Sequence, residues 1–283
     1  MSSAILLISC PDRPGLVANI TQFIFAHQGN IIHLDQHVDA QENVFFMRVE
    51  WDMERFTIPQ HEVAERFDAI ARLFDMRWQL TFSSTRQRMA IFVTRESHAL
   101  YDLLARWQSD DLAVDIPLIV SNHHDLAGVA AQFGIRFEHV PVDKHDRRSA
   151  EDRQLALLAQ HQIDFVVLAK YMQILTEHFI SHYPNRIINI HHSFLPAFVG
   201  AKPYHQAFAR GVKIIGATSH YVTSELDAGP IIEQDVVRVT HKDSVQDLVR
   251  RGKDLEKTVL SRAVYYHVQH RILVYNNKTI VFA

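Results

Sequence analysis

The sequence predicts two domains of different class, a small α+β domain ahead of a larger α/β domain with a mostly parallel sheet. Three observations lead to this. A length of 283 residues suits two domains. Over residues 1–84, short strands alternate with helical spacing in the order βαββαβ. From Met89 onward, continuous apolar strands alternate with helices, the pattern of a parallel sheet covered on both faces.

In the first domain Ala4 to Ile8 reads as a buried strand. Leu16, Val17, Ile20, Phe23 and Ile24 then recur at helical spacing after Pro14-Gly15, and Gly29-Asn30 is expected to end that helix in a left-handed cap. Ile31 to Asp39 is a strand. Phe45, Met47, Val49 and Trp51 repeat every second residue, with Phe46, Arg48 and Glu50 on the other face. Val63, Phe67, Ile70 and Phe74 return to helical spacing, and Trp78, Leu80 and Phe82 alternate again. This order closes as an antiparallel four-stranded sheet with two helices on one face, the ferredoxin-like arrangement.

The polar stretch from Ser83 to Arg88 reads as a connection, with residues 85–88 as the linker and 89–283 as the second domain. There, Met89 to Val93, Ile116 to Val120, Ile135 to Val140, Phe165 to Ala169 and Ile187 to His191 are apolar strands. A helix is expected around Ala99 to Trp107. Two longer extended runs, Ile214 to Val222 and Ile231 to Val239, flank Asp227-Ala228-Gly229-Pro230. A long helix from Ser244 to about His270 and a hairpin turned at Asn276-Asn277 complete the chain.

Composition narrows the function classes. The net charge is -3, without the basic excess of a chain that grips nucleic acid through phosphates. Cys10 is the only cysteine, so an intrachain disulfide is impossible, and a reducing compartment fits. The apolar run at the N-terminus breaks at Cys10-Pro11-Asp12 and reads as a strand instead of a signal peptide. No apolar stretch approaches the roughly 18 residues of a membrane span. A cytoplasmic chain with neither nucleic-acid nor membrane partners is expected. Nineteen histidines are many, but neighbours on a strand point to opposite faces. Neither His123-His124 nor His191-His192 is therefore expected to chelate one ion, and no metal site is expected.

Three segments of the second domain bear chemistry. Asn189-Ile190-His191-His192-Ser193-Phe194-Leu195-Pro196 resembles the Asn-x-His-x-Ser-x-Leu-Pro signature of formyltetrahydrofolate-using enzymes. Ser219 to Ile231 resembles the second motif of that family, which supplies an Asp, and Leu168 to Leu175 resembles the strand and turn lining its pterin pocket. The resemblance implies a Rossmann-like formyltransferase domain without a dissociable cofactor. Its catalytic residues carry over onto Asn189, His191 and Asp227, and its folate contacts onto Met172, Ile174, Leu175, Tyr221 and Glu225; Gln173 departs from an Arg often found there. The residue types suit the chemistry. Attack on a formyl amide forms an oxyanion, which a fixed donor such as the Asn189 amide stabilises. His191, two residues along the same strand face, can move a proton, and a neighbouring Asp can hold the imidazole and position water. The base is left unassigned between His191 and Asp227.

In ribonucleotide formyltransferases the loop after the first strand is glycine-rich and binds phosphate through backbone amides. Here Val93-Thr94-Arg95-Glu96-Ser97-His98-Ala99 contains no glycine, and Arg95 and Glu96 are expected to fill the second substrate's site. Water is then the acceptor.

In the first domain, Cys10-Pro11-Asp12-Arg13-Pro14-Gly15-Leu16-Val17 followed by Gly29-Asn30-Ile31 resembles an ACT domain, a module that often binds amino acids. ACT followed by a formyltransferase-like domain is the arrangement of formyltetrahydrofolate deformylases. That resemblance spans nearly the whole chain. It implies hydrolysis of 10-formyltetrahydrofolate to formate and tetrahydrofolate, supplying formate for purine synthesis and balancing one-carbon pools. It also implies an amino-acid effector such as glycine or methionine at Asp12, Gly15, Leu16 and Asn30, and a homo-oligomer, with a tetramer favoured. Plainer roles compete for some positions: Asp227 as a turn residue, and Asp12 as the N-cap of a helix with Pro14 and Gly15 in its first turn. The rival functions are formyl transfer to another acceptor and a non-catalytic sensor, against which the intact Asn189, His191 and Asp227 set speaks.

Overall fold

The structure, a computed structural model, describes residues 2–196 and 203–283 and divides into two compact units. The first comprises Met1–Arg86 with Gln269–Leu273 and Ile280–Ala283, the second Gln87–Val268 with Val274–Thr279.

The first unit runs β1 (Ser3–Pro11), α1 (Leu16–Ala26), β2 (Asn30–Asp39), β3 (Val44–Asp52), α2 (Val63–Leu73) and β4 (Arg77–Phe82). Its strands lie in the order β2-β3-β1-β4, all antiparallel. Ala4, Leu6 and Ile8 alternate onto one face with Phe45, Met47, Val49 and Trp51, and pack on Leu16, Ile20 and Ile24 of α1 and Val63 and Phe67 of α2. Each large aliphatic side chain buried there contributes roughly 1.5–3 kcal/mol.

The ends of α1 differ from expectation. The N-cap is Gly15, left-handed at φ 95°, and no side chain caps it, so Asp12 lies outside the helix. At the other end the left-handed residue is Gln28 (φ 61°), one position early. The turn closes there because the Gly29 amide already donates to the Ile24 carbonyl.

The second face of this sheet is also buried. Arg48, 1% exposed, meets Glu50 at 2.9 Å and donates to the carbonyls of Gln269 (3.2 Å) and His270 (3.1 Å). A guanidinium out of water needs such acceptors. These contacts place the C-terminal segments in the first unit, whereas the reading of 89–283 as one domain put them in the second.

The second unit begins with β5 (Gln87–Val93), followed by α3 (His98–Gln108), β6 (Val114–Ser121), α4 (Ala127–Gln132), β7 (Arg136–His139) and α5 (Arg147–Gln160). β8 (Phe165–Leu168), α6 (Glu177–Ile180), β9 (Ile187–His191), α7 (Pro203–Arg210), β10 (Ile214–Tyr221), β11 (Ile231–Arg238) and α8 (Val245–Val268) continue it. The hairpin β12 (Ile272–Tyr275) and β13 (Lys278–Val281) turns at Asn276, left-handed at φ 53°. β5 starts inside the stretch expected as linker. The Arg88 amide donates to the Asp164 carboxylate (2.7 Å) and its side chain to the His161 carbonyl (2.9 Å), so a polar sequence enters the sheet with its groups satisfied. α8 opens on a reciprocal cap, in which the Ser244 amide donates to Asp247 (2.9 Å) and the Asp247 amide to the Ser244 hydroxyl (3.2 Å).

The sheet order is β11-β10-β9-β8-β5-β6-β7. β9 to β7 are parallel in that order, and β10 pairs antiparallel with both β9 and β11. β5 comes first in sequence yet lies between β6 and β8, so the winding reverses beside it. Ligands of open α/β sheets bind outside the carboxyl ends of strands at such a point. The loops after β5, β8 and β9 gather there.

Candidate active site

Asn189 and His191 stand two residues apart at the end of β9 and so share a face. The antiparallel pairing of β10 sets His220 opposite Asn189 and Thr218 opposite His191. Thr218, fully buried, donates to the Ser193 carbonyl (2.9 Å) and accepts from the Leu195 amide (3.0 Å) and Gln234 (2.9 Å). That network pins the chain where it leaves His191.

Asp227 completes the group. Its backbone is left-handed at φ 55°, a conformation Asp tolerates better than most residues. Gly229 secures the turn behind it, because a Cβ there would fall 1.8 Å from the Tyr221 carbonyl oxygen. One carboxylate oxygen lies 3.2 Å from His191 Nδ1 and the other 3.6 Å from His220 Nε2. The His191 ring first, and then the nearby His220 ring, hold the Asp227 carboxyl well below the usual carboxylate range against its burial. With its Nδ1 proton on Asp227, His191 turns Nε2 inward, buried and with no hydrogen-bond partner among the described residues. An imidazole held this way presents a lone pair to whatever occupies the site.

His220 is a member that the sequence did not single out. Its Nδ1 faces the Tyr221 carbonyl at 2.9 Å, and its Nε2 lies 3.2 Å from Asn189 Nδ2. A ring donating from Nδ1 accepts on Nε2, so His220 orients the Asn189 amide and lies close to Asp227 as well. The available signal was its place inside the second motif, but only the register of β10 on β9 aligns it with Asn189.

The expected folate contacts spread differently. Met172 and Ile174 are more than half exposed, at 58% and 55%, while Leu175 is buried in the core. Both ends of their loop are tied to α5. The Tyr171 hydroxyl accepts from Gln154 (2.9 Å), and the buried Glu151 carboxylate accepts from the Thr176 amide (2.7 Å). The Met172 amide donates to the Thr94 hydroxyl at 2.9 Å. Tyr221 turns its ring into the interior, 2% exposed, with its hydroxyl 2.8 Å from His267 Nδ1; its backbone carbonyl is what faces the site, through His220. Glu225 is exposed in the loop before Asp227.

In the first unit, Gly15 caps α1, Leu16 is buried, Asp12 bonds Asn43 through its amide, and exposed Asn30 begins β2. The expected effector contacts therefore fall at the start of α1 and the start of β2. After β5, Arg95 is largely exposed and 3.9 Å from Asp125, and Glu96 is paired with Lys253 at 2.6 Å.

The two adjacent histidines do not splay apart as neighbours on one strand do. β9 ends at His191, and the ring of His192 turns back to stack on it at 5.2 Å. Among the described residues, no three His, Cys, Asp or Glu side chains form a group able to hold a metal ion. No helix among them is long and apolar enough to cross a membrane.

An Asn, two His and an Asp thus meet at the carboxyl edge of a doubly wound sheet, and comparison with known proteins shows the family to which this fold belongs. The family model described as formyl transferase matches residues 87–264, and that described as an ACT domain matches residues 4–71. The chain is 56% identical to the formyltetrahydrofolate deformylase of Synechocystis sp. over 99% of both chains. It superimposes on the crystal structure of a formyltetrahydrofolate deformylase from Pseudomonas syringae pv. tomato with a TM-score of 0.98. That match, at 49% identity, covers 100% of this chain and 95% of the other. A glycinamide ribonucleotide transformylase from Symbiobacterium toebii matches 70% of this chain and 95% of its own at 28% identity, with a TM-score of 0.65. The chain belongs to the formyltetrahydrofolate deformylase family.

Proposed function

We propose that the protein hydrolyses 10-formyltetrahydrofolate to formate and tetrahydrofolate at Asn189, His191 and Asp227. The observation that supports this centre is the chain of contacts from His191 to Asp227, His220 and Asn189, each step within 3.6 Å, with the His191 Nε2 atom buried and unpartnered among the described residues. Water, positioned by His191 and Asp227, adds to the formyl carbon while the Asn189 amide donates to the developing oxyanion. The C–N10 bond then breaks, N10 takes up a proton, and formate leaves. Asp227 stays ionised throughout and holds the His191 tautomer. The folate lies against the loop of Met172, Ile174 and Leu175 and the segment from Tyr221 to Glu225.

The experiment is formate release from 10-formyltetrahydrofolate, without any acceptor, by wild type and Asp227→Ala. Turnover in the wild type that collapses in the variant supports the centre. Equal turnover in both removes it.

Regulation and assembly belong to the same reading. The ACT domain supports an amino-acid effector, glycine or methionine, bound near Asp12, Gly15, Leu16 and Asn30. Calorimetry in which neither binds would remove that part. The edge strand β2 exposes Ile32, Leu34 and Val38 with its outer backbone groups free of sheet partners, which supports pairing between copies and a tetramer. A monomer by sedimentation would exclude it. A cytoplasmic site of action, supplying formate for purine synthesis, fits the single buried Cys10, whose thiol burial pushes up to about 11.

A further inference from the structure

Four side chains that hydrolysis does not use close into a buried polar cluster next to the reacting group. Glu256 of α8, 1% exposed, receives hydrogen bonds from His98 Nε2 at 2.8 Å and the Tyr204 hydroxyl at 2.7 Å, and Lys170 Nζ lies 3.2 Å away. The four come from the start of α3, the turn after β8, α7 and α8. Two local features show how tightly the cluster is built. Lys170 takes a left-handed backbone (φ 62°), disfavoured for lysine, while its side chain is 10% exposed. Gly252 leaves a bare patch on α8 where the Tyr204 ring lodges, and a Cβ there would lie 2.1 Å from the hydroxyl oxygen. Glycine is disfavoured in a helix interior, and here it makes room for one side chain.

The cluster reaches the reacting group through His192, whose ring lies 6.1 Å from Tyr204 and stacks on His191 at 5.2 Å. Burial, reinforced by the Lys170 ammonium, pushes the His192 ring down to about 4 and keeps it neutral. One face of His191 is therefore covered by the His192 ring, with the Tyr204 phenol and the ion cluster behind that ring. Arg95 and Glu96, expected from the sequence to fill this side, are not its buried part: Arg95 is exposed and Glu96 pairs with the half-exposed Lys253.

We propose that the cluster of Glu256, His98, Lys170 and Tyr204 closes the acceptor side of the centre, so that water alone reaches the formyl carbon. This rests on Asn189, His191 and Asp227 being the reacting group. Water needs little more than its own volume and a few polar partners. An amine acceptor carries a substituent and needs a channel, and a polar cluster built around a buried, paired carboxylate resists opening because separating its members strands a buried charge. With the channel open, an amine nitrogen attacks the formyl carbon and loses a proton while the C–N10 bond breaks and N10 gains one. The products are an N-formyl amine and tetrahydrofolate.

The test supplies 10-formyltetrahydrofolate and glycinamide, the amine in the name of the transformylase above, and measures formate and N-formylglycinamide separately. Wild type and Tyr204→Phe, which keeps the ring, release formate with no more formylglycinamide than the enzyme-free background. Tyr204→Ala raises the ratio of formylglycinamide to formate by about tenfold or more, rising with glycinamide concentration. His98→Ala opens the same cluster from α3 while leaving Glu256 paired, and gives the same direction if Tyr204→Ala does not fold. Formate as the sole product from a folded Tyr204→Ala or His98→Ala variant at every glycinamide concentration overturns the proposal. A cluster of purely structural role would lower formate release without raising formylglycinamide above that background. Full activity in Asp227→Ala would instead remove the centre itself, a separate outcome.

Discussion

At the scale of single residues, the proposed centre fixes hydrogen-bond directions. Asp227 holds Nδ1 of His191, and the Tyr221 carbonyl holds Nδ1 of His220, so each ring presents its Nε2 in a set direction. The Asn189 amide is aimed by His220 at 3.2 Å. Asn189→Ala is expected to lower kcat for formate release on the order of 100–1,000-fold with little change in KM, because the lost donor acts chiefly in the transition state. His220→Ala is expected to lower kcat by about tenfold or more, with His220→Gln recovering part of it, since a glutamine can still meet the Asn189 amide. Steady-state kinetics on both variants decide this, and an unchanged kcat in His220→Ala would deny it a positioning role. Asn189 and His191 were legible in the sequence because their spacing of two puts them on one face of a strand. His220 was not, because its partner lies 31 residues away and is set by strand register.

At the scale of elements, α5 and α8 hold the loops around the site from behind. Glu151 of α5 accepts from both the amide and the hydroxyl of Thr176, the latter at 2.5 Å, and so ties down the loop that presents Met172 and Ile174. Glu151→Ala leaves those donors unmet and loosens the loop. It is expected to raise KM for 10-formyltetrahydrofolate severalfold while kcat falls less, and a fall in kcat alone would contradict it. Glu256 of α8 gives a pH signature. Burial opposes its charge, but the His98 hydrogen bond, the Lys170 ammonium and the Tyr204 hydroxyl outweigh it and hold the carboxyl down at about 2 from 4.5. A folded-state value below the unfolded one means stability that is present above pH 4.5 and lost as pH falls toward 2. Denaturant midpoints of wild type and Glu256→Gln are expected to differ most at neutral pH and to converge through that window. A constant difference would show that the carboxylate does not titrate as assigned.

At the scale of the whole molecule, the chain leaves the first unit after Arg86 and returns to it at Gln269 and Ile280. The buried Arg48 depends on that return for two of its acceptors, the carbonyls of Gln269 and His270. Truncation after Val268 is expected to destabilise the first unit by about 2 kcal/mol or more, since hydrogen bonds to a buried charge are lost without replacement. Denaturant unfolding of the truncated and full-length chains measures this. An unchanged midpoint would show that solvent serves Arg48 equally well.

The sequence by itself determined the two domain classes, the element order and the motifs in which Asn189, His191 and Asp227 stand. Each of these is a local pattern: a period of two or of about 3.6, a run of apolar residues, or a motif of contiguous spacing. The tertiary structure alone decided which residues from distant parts of the chain meet. It brought His220 to Asn189, turned Tyr221 inward to His267, returned the C-terminal segments to the first unit, and gathered His98, Lys170, Tyr204 and Glu256 into one cluster. Strand register and helix docking set those meetings, and both depend on packing of the whole core, which no local window of sequence contains.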